Sequence, residues 1–360
     1  MKILWLAHRD PLHPKAGGAE RAIAEICSRL AEMQYDVTVL TAGWKGCENA
    51  ENFRGFKIRR FGNSLSIHFY VPLFIMKNKP DIVINDLGHA IPWPSTSFLR
   101  RKKIIFFRHL HARSLPGQVN ALLAYLITAV EKCYFIIYPH DTFITESTTS
   151  VSDLLHLGID EMNIVKIPPG VDLNIFRKGE KTTYPTIVYF GGMRKYKRPE
   201  EVIHVFNDLV AQIHTLKLTI VGSGPELRSL RELVSAYNLD DRVTFTGRVT
   251  DEVLAAEVSK SWLNIHTSVT EGWGLSITEA SAAGTPTVAY SVPGVVDAVE
   301  DGINGIKVKD GDRKALTDAA MKILSAPEKW WVSCAKVGEK YSWDKTARLW
   351  DETIKKVLEK

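Results

Sequence analysis

Cysteine is scarce in this chain. Its 360 residues hold four, Cys27, Cys47, Cys133 and Cys334, with no C-x-x-C pair. That pattern excludes a disulfide framework, suggests no structural zinc site and fits a reducing compartment. An uncharged membrane-spanning run is also lacking. The longest apolar stretch, Ala121 to Tyr138, is broken by Glu131 and Lys132, short of the roughly 20 apolar residues a span needs, and reads as a core helix and strand. The opening apolar run, Ile3 to Ala7, is too short for the core of a secretory leader and reads as a first buried strand, so a cytoplasmic location is expected. Repeats and low-complexity segments are missing. So is the G-x-G-x-x-G fingerprint of a nicotinamide dehydrogenase: the loop from Ala7 to Gly17 is too long for it, and Gly222-Ser223-Gly224 has no third glycine.

Charge of one sign is not abundant either, at 46 Lys and Arg against 41 Asp and Glu. The +5 excess lies wholly in residues 1–180, which hold 22 basic and 17 acidic residues, while 181–360 hold 24 of each. Part of it is Arg100-Arg101-Lys102-Lys103. Arg59, Arg60, Lys77 and Lys79 lie near the apolar run Phe69 to Met76. Two readings stand side by side: a patch that meets an anionic membrane face, and solvated loops around a sheet. With no RNP or helix-turn-helix pattern, a nucleic-acid partner is not expected.

At 45% hydrophobic and 24% charged residues, the chain is long and apolar enough for two α/β domains. Short runs rich in Ile, Val and Phe alternate with helical patterns at Ile3 to Ala7, Val37 to Thr41, Ile82 to Asn85, Ile104 to Arg108 and Phe143 to Thr145. A second series runs through Thr186 to Phe190, Leu218 to Val221, Val243 to Thr246, Leu263 to His266 and Thr287 to Tyr290. Two doubly wound parallel sheets follow. The expected division is an N-terminal domain 1–172, a linker 173–184 signalled by lost periodicity, a C-terminal domain 185–340, and a terminal helix 341–360. In that helix Ala347, Leu349, Trp350, Ile354 and Leu358 are available for packing.

The residues richest in chemistry are T-E-G-W-G-L-S-I-T-E-A-S-A-A-G-T-P, 270–286, directly after the strand Leu263 to His266. Glu271 and Glu279 flank a turn in which Gly272 and Gly274 let the backbone approach a ligand. A helix starting near Leu275 offers unpaired N–H groups and a positive dipole end, a seat for a diphosphate. Glu279, one turn in, can accept from ribose hydroxyls, and Glu271 can face a sugar. Ser276-x-x-Glu279 is equally a capping box, which needs no ligand.

Here the chain resembles the retaining glycosyltransferases of family 4, whose signature E-x7-E sits in the setting E-G-F-G-L-P-x-x-E-A. Glu271 and Glu279 have that spacing, with Trp273 in place of the usual Phe and Ser276 in place of the usual Pro. The resemblance implies that Glu279 binds the nucleotide ribose and that Glu271 contacts the donor sugar or its phosphates. It covers nearly the whole chain. Gly17-Gly18-Ala19-Glu20-Arg21 is similar to the family's G-G-x-E-R turn, and Tyr189 to Lys197 resembles a strand followed by G-R-L-x-x-x-K. Lys197 falls at the diphosphate-binding lysine, while Gly191 and Gly192 come where the family has Gly-Arg. Arg194 can reach the same anion by another route. Gly222 and Gly224 fall in the loop beside the nucleotide, and Gly247-Arg248-Val249 in the stretch whose backbone reads the base. Val292-Pro293-Gly294-Val295 matches a late glycine turn near the donor. His109 falls at the family's cleft histidine. His111 shares its strand parity unless a turn intervenes at Leu110. Arg108 and Arg113 are lesser candidates for acceptor or phosphate contacts.

What the resemblance implies is a GT-B fold: two Rossmann-like domains facing a cleft, with the C-terminal helix crossing back to the N-terminal domain. The implied activity is transfer of a hexosyl group from a nucleoside-diphosphate sugar to a glycan or lipid-linked acceptor, with retention by front-face attack and no protein nucleophile. The expected catalytic residues are His109, Glu271 and Lys197. The expected donor contacts are Gly17, Gly18, Gly191, Arg194, Lys197, Gly222, Gly224, Arg248, Val249, Glu271, Gly272, Trp273, Gly274, Leu275 and Glu279. No D-x-D pair stands in a suitable place, so neither metal nor obligatory cofactor is expected. Peripheral contact with an anionic membrane at its inner face is one of the two readings of the charge asymmetry, beside solvated loops. The enzymatic rival is a nucleotide-sugar epimerase or phosphorylase on the same architecture, which would turn over without an added acceptor.

Overall fold

The computed structural model describes all residues except 89–90, 98–100, 114, 116–119 and 360. Arg100 of the basic cluster therefore lies outside the described residues. The chain divides into two units, one of Met1–Gly170 with Trp343–Lys360 and one of Val171–Ser342.

The strands of the first unit are β1 (Lys2–Leu6), β2 (Asp36–Thr41), β3 (Ala50–Phe53), β4 (Phe56–Arg60), β5 (Ile82–Asp86), β6 (Lys102–Phe107), β7 (Thr142–Thr145) and β8 (Ile164–Lys166). They form one sheet in the order β3-β4-β2-β1-β5-β6-β7-β8, parallel apart from the β3–β4 pair. Its helices are α1 (Gly18–Glu32), α2 (Ile67–Asn78), α3 (Ala121–Glu131), α4 (Tyr134–Ile137) and α5 (Thr148–His156). β1 and β5 are almost continuously buried because helices cover both faces of the sheet, as the unbroken apolar runs imply. On one face Ile67, Val71 and Ile75 of α2 join Val83, Ile105, Trp93, Tyr134 and Tyr138 in a single core. β3 and β8 at the sheet edges, and β4 next to β3, are short and partly polar strands, which the search for apolar runs passes over.

The second unit carries β9 (Thr186–Phe190), β10 (Lys217–Val221), β11 (Val243–Gly247), β12 (Leu263–His266), β13 (Thr287–Tyr290) and β14 (Gly305–Val308). Its helices are α6 (Pro199–Val210), α7 (Leu227–Ala236), α8 (Asp251–Lys260), α9 (Leu275–Ala282), α10 (Val295–Ala298), α11 (Arg313–Leu324) and α12 (Glu328–Gly338). All strand pairs are parallel, in the order β11-β10-β9-β12-β13-β14. The chain winds outward from β9 in both directions. The order thus reverses between β9 and β12, and ligands of such sheets lie at the carboxyl ends of the strands at that reversal.

Residues 173–184, read from the sequence as a linker, lie inside the second unit. Phe176 is fully buried with Val171, Ala255 and Ala282, and Lys181 Nζ donates to Ser261 O and Thr285 Oγ1, both at 2.7 Å. The terminal helix α13 (Trp343–Glu359) belongs to the first unit and buries Trp343, Ala347, Trp350, Ile354 and Val357. Trp350 packs on Trp5 at 4.9 Å between ring centroids and edge-on to Phe106 at 5.0 Å. Arg29 Nε donates to Asp344 Oδ1 at 2.6 Å, and the Tyr35 hydroxyl to Asp351, tying α13 along α1. Val357 rather than Leu358 takes the last inward position, because the buried stripe steps by seven from Trp343 through Trp350.

The largest departure from expectation is Ala121 to Tyr138. It holds two helices and no strand, and of α3 only Glu131 is buried.

Candidate active site

In the second unit, the loops after β9 and β12 are stitched together by hydrogen bonds to backbone carbonyls. The Thr267 hydroxyl reaches Lys197 O (2.9 Å) and Arg198 O (2.8 Å), Val269 N donates to Tyr196 O (2.8 Å), and Arg198 Nε donates to Thr267 O (2.7 Å). Arg198 takes a left-handed conformation, φ 48°, and Pro199 then starts α6 with its preset φ. The consequence is that Lys197 and Glu271, 74 residues apart in sequence, meet as an ion pair between Nζ and Oε1.

Ser268 Oγ also donates to Glu271 Oε1, at 2.6 Å, and His266 Nε2 lies 3.3 Å from the same oxygen, off the line of a hydrogen bond. All three contacts converge on Oε1, and no hydrogen bond reaches Oε2 of Glu271 among the described residues. Burial pushes the Glu271 carboxyl upward, but Lys197 and His266 outweigh it and hold it well below the usual carboxylate range. Burial likewise opposes the Lys197 charge, and Glu271 overrides that, raising the ammonium above its ordinary value. Both are fully ionised near neutrality.

The backbone of Glu271 is fixed in turn by the loop after β13. Glu271 N donates to Pro293 O at 3.0 Å, and a Cβ on Gly294 would fall 2.3 Å from Glu271 O. Only glycine fits at 294, where φ is also +79°. Gly222 is demanded in the same way: its Cβ would stand 2.1 Å from Gly191 O, because Gly191 N donates to Val221 O where the two loops cross. The glycine of the β10 loop is therefore explained by backbone packing before any ligand is considered.

Helix α9 opens at the same point. Gly274 is its N-cap, in the left-handed region, and its first hydrogen bond runs from Ile277 N to Gly274 O, so the first-turn N–H groups face the loop of Glu271. Ser276 is thus the second residue of the helix and not its cap, and the capping-box reading fails. Its hydroxyl instead lies 3.2 Å from His266 Nδ1. Glu279 is buried one turn further along α9. Trp273 turns its indole into the core, edge-on to Tyr341 at 5.2 Å, which leaves its backbone to face the loop.

Around this centre, Gly272 and Leu275 are half-buried, while Gly191 and Arg194 are exposed at the end of β9. Gly224 follows β10. Arg248 is exposed and its Nε donates to Ser223 Oγ at 3.0 Å, and Val249 packs beside Val221. The structure brings Lys197, Glu271 and the start of α9 into contact; it holds Arg194 and Arg248 at the rim.

The remaining candidates belong to the first unit. Gly17 caps α1, and Glu20 Oε2 accepts from Gly17 N at 2.8 Å, so the acidic residue of G-G-x-E-R holds its own turn, leaving Gly17 and Gly18 exposed. β6 stops at Phe107, so strand parity does not govern His109 and His111, whose rings lie 4.8 Å apart. His111 is committed: its N–H donates to Glu131 Oε1 at 2.6 Å, with the ring Nδ1 3.2 Å from the same atom. Arg108 is buried against Asp86 (2.9 Å) and Glu146 (3.2 Å), and Arg113 pairs with both oxygens of Asp153 at 2.6 Å, so both cations are already compensated.

His266 and Ser268 escaped the sequence reading. The available signal was a histidine ending the fully buried strand β12, five residues before Glu271. Replacing His266 with phenylalanine removes its hydrogen bond with Ser276 Oγ and the polar nitrogen 3.3 Å from Glu271 Oε1; it is expected to keep the fold and to raise the donor KM about fivefold, the equivalent of ~1 kcal/mol. Glutamine there should recover most of the loss. An unchanged KM in steady-state assays would show that His266 does not position Glu271.

A family model described as Glycosyl transferases group 1 matches residues 171–339, and one described as Glycosyltransferase Family 4 matches residues 16–175. The chain is 23% identical to N-acetyl-alpha-D-glucosaminyl L-malate synthase of Bacillus anthracis over 350 residues, covering 88% of this chain and 87% of that protein. It is 30% identical to D-inositol 3-phosphate glycosyltransferase of Rhodococcus opacus over 223 residues, 56% of this chain and half (50%) of that one. Among solved structures, sucrose-phosphate synthase from Thermosynechococcus elongatus superposes with a TM-score of 0.84 at 22% identity, covering 99% and 98% of the two chains. Anabaena HepE in complex with UDP-glucose gives 0.78 at 18% identity, covering 99% and 100%. The chain belongs to the group 1 glycosyltransferases of family 4 and has their two-domain GT-B fold.

Proposed function

We propose that this glycosyltransferase takes a hexosyl group from a nucleoside-diphosphate sugar and passes it, with retention, to a glycan or lipid-linked acceptor. The observation that carries the reading is the convergence of Lys197, Ser268 and His266 on one oxygen of Glu271, at the mouth of α9 and at the reversal point of the sheet. Lys197 and the α9 N–H groups supply fixed positive charge where a leaving diphosphate gains negative charge, which lowers the barrier without reorganisation. Glu271 Oε2 accepts from a donor-sugar hydroxyl, and Glu279 accepts from the ribose. Arg194 assists at the diphosphate, and the backbone at Gly222, Gly224, Arg248 and Val249 meets the base. His109 of the first unit is assigned to the sugar, where an imidazole can donate to a hydroxyl or share the acceptor proton. The departing phosphate helps deprotonate the acceptor, so no protein nucleophile is required.

A solved neighbour holds UDP-glucose, which makes UDP the first nucleotide to test. In calorimetric titration against UDP, GDP, ADP and their sugar conjugates, with and without magnesium, one nucleotide should bind selectively and saturably. Glu279→Ala should weaken it about tenfold or more, the loss of hydrogen bonds to a buried charged acceptor, with an unchanged circular dichroism spectrum. Wild-type affinity in that variant would remove the ribose assignment. Turnover of the donor without any acceptor would turn the reading toward an epimerase or phosphorylase. A cytoplasmic enzyme with peripheral contact at the inner face of the membrane is part of this proposal, supported by the basic excess of residues 1–180.

A further inference from the structure

Sixteen of the twenty large apolar side chains exposed among the described residues belong to the first unit, and ten of them stand on α2, α3 and α4. α3 is the extreme case. Its sequence, ALLAYLITAVE, is apolar on every side, a composition that ordinarily means full burial. Yet Leu122 is 70% exposed, Tyr125 71% and Leu126 51%, with Leu123 and Val130 exposed beside them. Its few polar groups are satisfied from within. Asn120 caps the helix by accepting from Leu123 N at 2.9 Å, Thr128 Oγ1 donates to Ala124 O at 2.9 Å, and Glu131 turns inward to hold His111 and Ala112. The helix is anchored at its C-terminal end and presents only hydrocarbon and a phenol elsewhere.

α2 repeats the arrangement. Ile67, Val71 and Ile75 pack into the core, while Phe69, Leu73 and Met76 form a second apolar stripe that is 78%, 61% and 56% exposed. α2 and α4, which follows α3 directly, feed the same core on the same face of the sheet, and Ile136 of α4 is 64% exposed.

We infer that α3, with the outer stripe of α2, seats the first unit in the interfacial layer of a bilayer rich in anionic lipid. Charge selects this occupant. The first unit holds 25 Lys and Arg against 19 Asp and Glu, a balance of +6, whereas the second holds 21 against 22. A second copy of the same surface would be repelled, while an anionic leaflet attracts it. Exposed Lys132 directly follows α3, and exposed Lys77 and Lys79 close α2, where snorkelling ammonium groups meet lipid phosphates. Length excludes a span: α3, at 11 residues, reaches roughly 16 Å against a hydrocarbon core of ~30 Å. It lies in the surface layer, as interfacial helices do. The inference stands on vesicle binding and is independent of the donor site.

The test is flotation of the full chain with vesicles of phosphatidylcholine alone and of phosphatidylcholine mixed with phosphatidylglycerol. Wild type should float with the mixed vesicles and be released as salt rises. The double variant Leu122→Glu, Tyr125→Glu should lose about tenfold or more in partitioning, since two side chains of substantial buried area leave the lipid. Both sites are exposed, so its thermal unfolding and nucleotide binding should match wild type. Met162→Glu, an 84% exposed apolar site between α5 and β8, serves as control and should float like wild type. Two results would overturn the inference: equal flotation of wild type and the double variant, or a wild-type dimer in sedimentation that the double variant dissociates, which would assign α3 to a second copy. Loss of nucleotide binding with vesicle binding retained would count against the donor site alone.

Discussion

Replacing Lys197 with methionine is expected to lower turnover about a hundred- to a thousandfold, the usual cost of removing one preorganised stabiliser of developing negative charge. The neighbouring Lys195→Met, at an exposed residue of the same turn, should change it less than about twofold, because an exposed cation is screened by solvent. A loss below tenfold at Lys197 would remove it from the diphosphate. The variant also carries a signature in pH. In the wild type, Lys197 and His266 hold the Glu271 carboxyl below its ordinary value of 4.5 against the upward push of burial. That depressed group stabilises the fold above the unfolded value, and the contribution is lost as pH falls through the folded one. Without Lys197 burial dominates and the carboxyl moves upward. A group raised above its unfolded value stabilises only in acid and costs stability as pH rises. Denaturant titrations between about pH 4 and pH 7 should therefore show the gap between variant and wild type widening with pH. A pH-independent gap would mean that the ion pair does not set the Glu271 charge.

Trp350→Ala should be the most damaging single change in the first unit. The indole is 1% exposed and lies against Trp5 and Phe106 at 4.9 Å and 5.0 Å. Truncating such a side chain costs about 3–5 kcal/mol, from lost burial plus the cavity left behind. For a unit of this size that corresponds to a fall in Tm of about 8–15 °C. The damage is expected to be local, since α13 packs on α1 and β6 of the first unit while Lys197 and Glu271 belong to the second. Calorimetry should show the first unit unfolding early with nucleotide affinity unchanged at lower temperature. An unaltered melting profile would show that α13 does not support β1 and β6.

Residue patterns carried much of this. Every strand of the second unit except β14 was visible as an apolar run, because strands of a parallel sheet are buried on both faces. The two glutamates and the glycine turn between them were visible as a spacing after a strand end, whereas Lys197 and the Gly17-Gly18 turn were singled out only by the family resemblance. Short edge strands with polar faces were not visible, since edges need little burial. The Ala121 to Tyr138 segment misled for a definite reason: apolar composition records what a segment avoids, which is water, and does not record whether protein or lipid replaces it.

By itself, then, the sequence determined the alternation of strand and helix, the two sheets, the α9 motif and its paired carboxylates, because these follow from local periodicity and spacing. Tertiary structure alone decided which groups meet. It brought Lys197 onto Glu271 across 74 residues and set His266 and Ser268 on the same oxygen. It moved the helix cap from Ser276 to Gly274, spent Arg108 and His111 on internal carboxylates, and left α3 bare. Such pairings depend on which loops the sheet order places side by side, and no local pattern in the chain encodes that order.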